Sequence, residues 1–424
     1  MLMGVVDSMM VGRVSADALA AVALGNLYFF GLAVLGMGVL MSLDPVVSQA
    51  VGYGDEPAIA RAVQRGLLMA VCVAIPVSLA LLPGEKLFSL AGQPESVIPI
   101  AAGYARACIP GVLPLFCFAV LRLTLQSMAI VRPVVVVVIL ANVLSAFLNW
   151  VLVFGNLGMP ALGAVGTGWA SSMARLTLFL GLAAAAWPVL RDKIRPFRRD
   201  AFALLPVARM LRIGLPIGFQ HQLEMGAFGF TALAMGWFGP WELAAHQVAI
   251  SLASLTFMMP LGVGMAGSVL VGHSVGRGDA GGARTAAITT VIAGVGIMTV
   301  TAVVFLTLPQ LLARLYTDAP GALALAVMLI PIAGIFQVFD GLQVVSSGVL
   351  RGIGDTRVPL VINLMGYWLL GIPFGLWMAF RGGVGPTGLW WGLTLGLVVV
   401  SILLVLRVRM RFGRAIERLV VEGS

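Results

Sequence analysis

The sequence predicts an all-α integral membrane protein of twelve transmembrane helices, arranged as two six-helix lobes. Three observations predict it. Hydrophobic residues make up 60% of the 424 and charged residues only 10%, where a soluble domain carries roughly 25% charge. The apolar residues fall in long runs without the period-two alternation of a transmembrane barrel. Short motifs also recur 224 residues apart: Leu19-Ala20-Ala21 as Leu243-Ala244-Ala245, and Gly52-Tyr53-Gly54-Asp55 as Gly276-Arg277-Gly278-Asp279. Two later pairs, Arg132-Pro133 with Arg357-Val358-Pro359 and Thr167-Gly168 with Thr387-Gly388, extend the repeat along the chain.

Apolar runs between charged or Gly/Pro-rich breaks place the spans near 1–13, 21–50, 62–83, 97–126, 132–155, 163–190, 213–239, 243–272, 285–312, 321–350, 357–380 and 384–408. A helix needs about 20 residues to cross the bilayer core. Eleven runs meet this and the first does not. Met1 to Gly12 reaches only about 18 Å as a helix and lacks the basic flank of a signal peptide. The expectation is that the natural start lies upstream and the first helix is truncated. The predicted domains are an N-terminal lobe at 1–190, a basic linker at 191–212, a C-terminal lobe at 213–408 and a basic tail at 409–424. Six helices per lobe give both lobes one orientation. The expected symmetry is therefore a pseudo-two-fold axis along the membrane normal, with a cavity between the lobes.

Arginine sets the orientation. The odd-numbered loops hold four basic residues, and the even-numbered loops, linker and tail hold nineteen. Basic residues mark the cytoplasmic side, so the linker and C-terminus are expected there. The net charge of +9 is spread over these short loops and reads as a topology and lipid-surface signal, with no nucleic-acid partner. Cys72, Cys108 and Cys117 lie in apolar runs at spacings that suit neither disulfides nor a metal.

Four acids fall in or beside spans: Asp7, Asp44, Glu224 and Asp340. Asp340 lies eleven residues before Arg351, so about 16 Å deep, near mid-membrane. A carboxylate at that depth is costly unless protonated, paired or hydrated. Gln337, Gln343 and Ser347 share its helical face at offsets of three and seven. Glu224 lies twelve residues past Arg212, at about 18 Å and similar depth. Gln220, His221 and Thr231 accompany it, and His221 one turn away is the better proton-relay histidine. Asp7 is expected in the outer half, about 9 Å from Arg13. Asp44, followed by Pro45, reads as a cap or kink. His246 opens a span and reads as an interfacial packing residue. Glu224 and Asp340 together point to exchange of a proton or sodium ion, or to contact with a cationic compound. The plainer alternative is that each carboxylate only bonds a neighbouring helix.

Two motifs mislead. Gly272-His273-Ser274-Val275-Gly276 fits the nucleophile elbow of a hydrolase, which needs a strand before it; here a long apolar helix precedes it. Gly352-Ile353-Gly354-Asp355 is a turn between helices, since a phosphate cradle also needs a preceding strand.

Several stretches in order resemble the multidrug and toxic compound extrusion (MATE) family, in its NorM-like branch. They are Val6-Asp7-Ser8-Met9-Met10-Val11-Gly12, Gly214-Leu215-Pro216 with Glu224 eight residues on, and Leu243-Ala244-Ala245-His246-Gln247. Phe336-Gln337-Val338-Phe339-Asp340-Gly341-Leu342-Gln343, running into Leu350-Arg351-Gly352-Ile353-Gly354-Asp355-Thr356, completes the set. The resemblance implies a bacterial-type inner-membrane antiporter that is not an enzyme. It would expel bulky, often cationic aromatic drugs and toxins in exchange for sodium ions or protons. It would have no cofactor beyond the coupling ion and no obligate protein partner. It assigns cation coupling to Glu224 and Asp340, and proton coupling in other branches to Asp7. The rivals are a lipid-linked sugar flippase, which would turn cationic residues such as Arg106, Arg122 and Arg175 to the cavity, and an intramembrane hydrolase built on Ser274. A channel is disfavoured because no glycine-rich filter loop appears.

Overall fold

A computed structural model describes residues 2–419. Helices form throughout, and no strand occurs among the described residues. We label the longer ones α1 (Leu2–Val11), α2 (Ala16–Tyr53), α3 (Glu56–Leu81), α4 (Ile98–Ser127), α5 (Arg132–Phe154) and α6 (Gly163–Ala185). In the second half come α7 (Leu204–Gly236), α8 (Pro240–Gly276), α9 (Ala280–Thr307), α10 (Pro320–Gly352), α11 (Arg357–Phe380) and α12 (Thr387–Phe412). Among the described residues, nine helices are long and apolar enough to cross a membrane. A tenth arises if α6 is joined to the short helix Trp187–Ile194, which bends away from it by 91°. The described part of α1 is ten residues long. α7 falls outside the apolar set because Arg209, Arg212, His221 and Glu224 interrupt it. It begins at Leu204, inside the stretch expected to be linker, and Trp187–Ile194 and a 3₁₀ turn at Arg199–Phe202 fill most of the remainder.

Lipid explains the outward faces. On α5, Val136, Ile139, Leu140, Val143, Phe147 and Trp150 form one helical stripe, each more than 40% exposed. An apolar stripe of that length has no place on a water-facing surface.

The chain divides into two compact units. Of the described residues, the first comprises 2–43 and 55–218, and the second comprises 44–54 and 219–419. In the first, Phe118, Leu121, Val134, Val137 and Leu178 close a core among α4, α5 and α6. In the second, α10 is the central helix and is flanked by α8, α9 and α12. Its buried residues Leu329, Ala333, Phe336 and Leu350 join Trp390, Leu393 and Leu397 of α12 in the main core.

The repeat is visible in local geometry. Asp55 caps α3 by accepting from the Ala58 amide, and Asp279 caps α9 by accepting from the Gly282 amide. The residues before them, Gly54 and Gly278, take φ of +80° and +72°, which only glycine adopts without strain.

Two helices depart from regularity. α2 breaks at Met41–Ser42, and its second part, Leu43–Tyr53, belongs to the second unit. There Ser48 and Gln49 approach Gly272 and Gly276 of α8 so closely that a Cβ on either glycine would meet them at 2.0 and 2.2 Å. α11 carries a π-helical stretch, Leu364–Gly371. Pro373 follows it, lacks an N–H for the Leu369 carbonyl and crowds that oxygen, so the turn widens. Gly366, Gly371 and Gly375 of α11 lie against Gly392 and Gly396 of α12, with almost no room for side chains.

Candidate functional site

Each unit buries a carboxylate. In the first, Asp7 on α1 is 3% exposed. Its Oδ1 accepts from Asn149 Nδ2 of α5 at 2.8 Å, and its Oδ2 accepts from the Ser171 hydroxyl of α6 at 3.2 Å. Asn149 Nδ2 also reaches the Ser145 carbonyl at 2.9 Å. One turn after Ser171, the Arg175 guanidinium lies over the Phe29 ring at 3.9 Å and within electrostatic reach of Asp7. Helix α1 thus presents one acid to two donors and a nearby cation.

In the second unit Asp340 is 5% exposed, and its Oδ1 has no hydrogen-bond partner. Glu224 of α7 and the wholly buried phenol of Tyr367 lie within electrostatic reach of Asp340. The Tyr367 hydroxyl also lacks a partner. Tyr367 sits in the π stretch of α11, a distortion that often marks functional positions. His221 Nδ1 lies 3.8 Å from Glu224 Oε2, as the one-turn spacing predicts.

The polar stripe predicted around Asp340 is buried, but its members engage three different helices. Gln337 accepts from Thr301 of α9 at 3.0 Å. Gln343 donates to Asn363 of α11 at 3.2 Å. Ser347 accepts from Gln220 of α7 at 3.4 Å. Gln337 Nε2 and Gln343 Oε1 have no bond of their own. An aromatic wall stands beside them. Phe228 meets Phe336 and Tyr367 edge-on at 6.0 and 6.2 Å, and Phe336 meets Trp390 at 5.8 Å.

Some expectations change. His246, the seventh residue of α8, is 1% exposed and packs 5.7 Å from the Trp390 ring. Asp44 does more than kink its helix. It lies 3.6 Å from the Arg351 guanidinium of α10, with both side chains buried. Nearby, Gln49 Nε2 donates to the Gly352 carbonyl at 2.8 Å. Arg106 pairs with Glu85 at 2.9 Å, and both line an open cleft that also carries Lys86 and Glu95. Ser274 donates to the Leu270 carbonyl and accepts from Arg277, and a guanidinium cannot take its proton. Among the described residues no cluster of three or more His, Cys, Asp or Glu side chains forms. The second unit therefore offers carboxylate and hydroxyl oxygens, the donors of a hard cation or a proton.

The MatE profile matches residues 1–151 and 216–377. The chain belongs to the MatE family. It is 37% identical over 414 residues to a probable multidrug resistance protein NorM of Mesorhizobium japonicum, covering 95% of this chain and 88% of that one. It is 32% identical over 414 residues to the multidrug resistance protein MdtK of Edwardsiella ictaluri, covering 96% and 91%. Among solved structures, the eukaryotic MATE transporter AtDTX14 aligns with a TM-score of 0.87 at 24% identity, covering 96% of this chain and 91% of that one. A MOP superfamily transporter from Pyrococcus furiosus aligns at 0.86 and 20% identity over 97% and 92%. The MATE fold is therefore that of this multi-pass membrane protein. Asn149 and Ser171, which bond Asp7, and Tyr367, which lies near Asp340, are neighbours of the acids that sequence reasoning missed. Asn149 and Tyr367 each stand as a polar group inside an apolar run, a signal that was available; Ser171 sits among other small residues and has none.

Proposed function

We propose that the protein is a multidrug efflux antiporter, exporting bulky, often cationic aromatic compounds in exchange for sodium ions or protons by alternating access. One observation carries the reading: the buried acid Asp340 and the half-buried Glu224 lie within electrostatic reach of each other, and one Asp340 oxygen and the nearby Tyr367 hydroxyl lack partners. Buried polar groups are normally bonded, and a pair of neighbouring carboxylates is stable when it shares a cation or a proton. The names of the NorM and MdtK relatives support drugs as the cargo. The arginine count supports an inner-membrane orientation with the C-terminus in the cytoplasm.

In this mechanism, the ion held at Glu224 and Asp340, or at Asp7, weakens drug binding, and by linkage drug binding weakens the ion. Membrane potential supplies about 2.3 kcal/mol per charge per 100 mV. One net charge exchanged per drug thus sustains a gradient of roughly fortyfold.

The test is efflux of an ethidium-type dye from cells carrying the wild type, Asp340→Asn or Glu224→Gln, in sodium-containing and sodium-free buffer. Loss of energised efflux in both variants is expected. Undiminished efflux in both would overturn the coupling role, and the buffer comparison separates sodium from protons.

A further inference from the structure

Away from Glu224 and Asp340, α9 and α12 both pack on α10 but diverge from one another. The cleft between them encloses 390 Å³. Ser346 of α10 lies in its floor, wholly buried, with a hydroxyl that has no hydrogen-bond partner. Ile288, Ile292, Val405 and Phe412 form the walls, and Ile288 and Ile292 are 50% and 66% exposed. The cleft thus opens sideways, toward the surface that the apolar helix faces give to lipid.

Arg284 and Arg409 stand at one end of this cleft. Both lie at the arginine-rich ends of their helices: Arg284 is in the second turn of α9, and Arg409 is in the last turn of α12. Helical phase explains why Arg409 is available. Arg407 and Arg411, four apart, share a face and both reach Asp355, at 2.8 and 3.5 Å. Arg409, between them in sequence, is rotated about 200° to the other side. Among the described residues neither Arg284 nor Arg409 forms an ion pair.

We propose that this cleft is a binding site for an anionic glycerophospholipid. The phosphate would lie between Arg284 and Arg409 at headgroup depth, and the first part of one acyl chain along Ile288, Ile292 and Val405. The two cations disfavour the cationic aromatic cargo of the transport pathway, and the apolar walls give a free phosphate ion nothing to bury. Basic pockets between transmembrane helices at the cytoplasmic end are suited to such headgroups. Each arginine near an anionic surface is expected to contribute about fivefold in affinity, and the pair roughly 25-fold.

The experiment is native mass spectrometry of the whole protein in neutral detergent. It is titrated with phosphatidylglycerol or with phosphatidylcholine of the same acyl chains. Wild type is expected to prefer phosphatidylglycerol by roughly 25-fold. The preference should vanish in Arg284→Gln/Arg409→Gln and survive in Arg191→Gln/Arg357→Gln, which removes two exposed arginines elsewhere. Ile288→Trp, which narrows the cleft and keeps both charges, should also weaken binding. Equal affinity for the two lipids would overturn the proposal. So would an equal loss in the control pair, or displacement of phosphatidylglycerol by inorganic phosphate at matching concentration.

Discussion

Asp7 in the first unit and Asp340 in the second are both buried in apolar helices, yet their surroundings differ in kind. Asp7 has a donor on each oxygen, Asn149 on one and Ser171 on the other, with Arg175 nearby. Asp340 has an oxygen without a donor, a second acid for a neighbour and an aromatic wall beyond it. The first arrangement stabilises an anion with fixed protein groups and resembles a structural tie among α1, α5 and α6. The second leaves the anion to be completed by something that arrives and leaves. Under the proposed antiport, the comparison assigns the larger share of coupling to the second unit. A third buried acid, Asp44, uses yet another solution, an ion pair with the Arg351 guanidinium at 3.6 Å.

The largest expected effect tests that assignment directly. Asp340→Asn should collapse the roughly fortyfold gradient that one charge per 100 mV sustains. Asp7→Asn should reduce it by a smaller factor, because its amide can still pair with Ser171. Steady-state accumulation of dye in energised cells measures both. An equal collapse in Asp7→Asn would erase the distinction between the units.

Stability should move the opposite way. Asp7→Ala strands one Asn149 N–H and the Ser171 hydroxyl in a dry site, at about 1–3 kcal/mol. Asp340→Asn removes a desolvated, crowded charge and should be neutral or stabilising. Melting temperatures of the purified proteins check the pair; a lower value for Asp340→Asn than for Asp7→Ala would contradict the reading of either site.

The geometry that presents Tyr367 to the acids can be perturbed from behind. A Cβ at Gly392 would lie 2.3 Å from the Gly375 backbone, so Gly392→Ala must push α11 off α12. Overpacking of this kind costs about 1–3 kcal/mol. Efflux should fall with stability, and a Gly103→Ala control in the first unit, where a Cβ finds only Val165 at 3.0 Å, should change either far less.

Much of this was legible in the chain. Composition and run length gave the helical membrane fold, and the 224-residue repeat anticipated the matching caps at Asp55 and Asp279. Depth counting brought Glu224 and Asp340 to one level, where their charges interact. Other features depend on tertiary contact and left no local pattern. Nothing near Asp44 indicates that its cation is Arg351, some 300 residues away. Gln337, Gln343 and Ser347 share one helical face in the sequence, but α10 is surrounded, so each polar group meets a different helix. The π turn of α11 follows from Pro373 and from glycines packed on α12, and a hydropathy reading registers only an apolar run.

Tyr367 was missed for a related reason, although the count that found Asp340 applies to it. It lies ten residues past Arg357, as Asp340 lies eleven before Arg351, so the hairpin of α10 and α11 brings both to about 15 Å from the same end. A phenol there can give one hydrogen bond to a carboxylate or one lone pair to a cation. Tyr367→Phe removes that capacity and keeps the ring packed on Phe228. The expected loss is one hydrogen bond, about 0.5–1.5 kcal/mol, or roughly two- to tenfold in ion affinity. It should appear as a higher sodium or proton concentration for half-maximal efflux at unchanged melting temperature. If Tyr367 only fills space, half-maximal ion concentration will not move, and the unpartnered hydroxyl would then be an ordinary packing compromise. The same shift measured in an Asp7→Asn background would show that the two units bind their ions separately; its disappearance there would mean that both acids belong to one coupled equilibrium, and the contrast between the units would be one of degree.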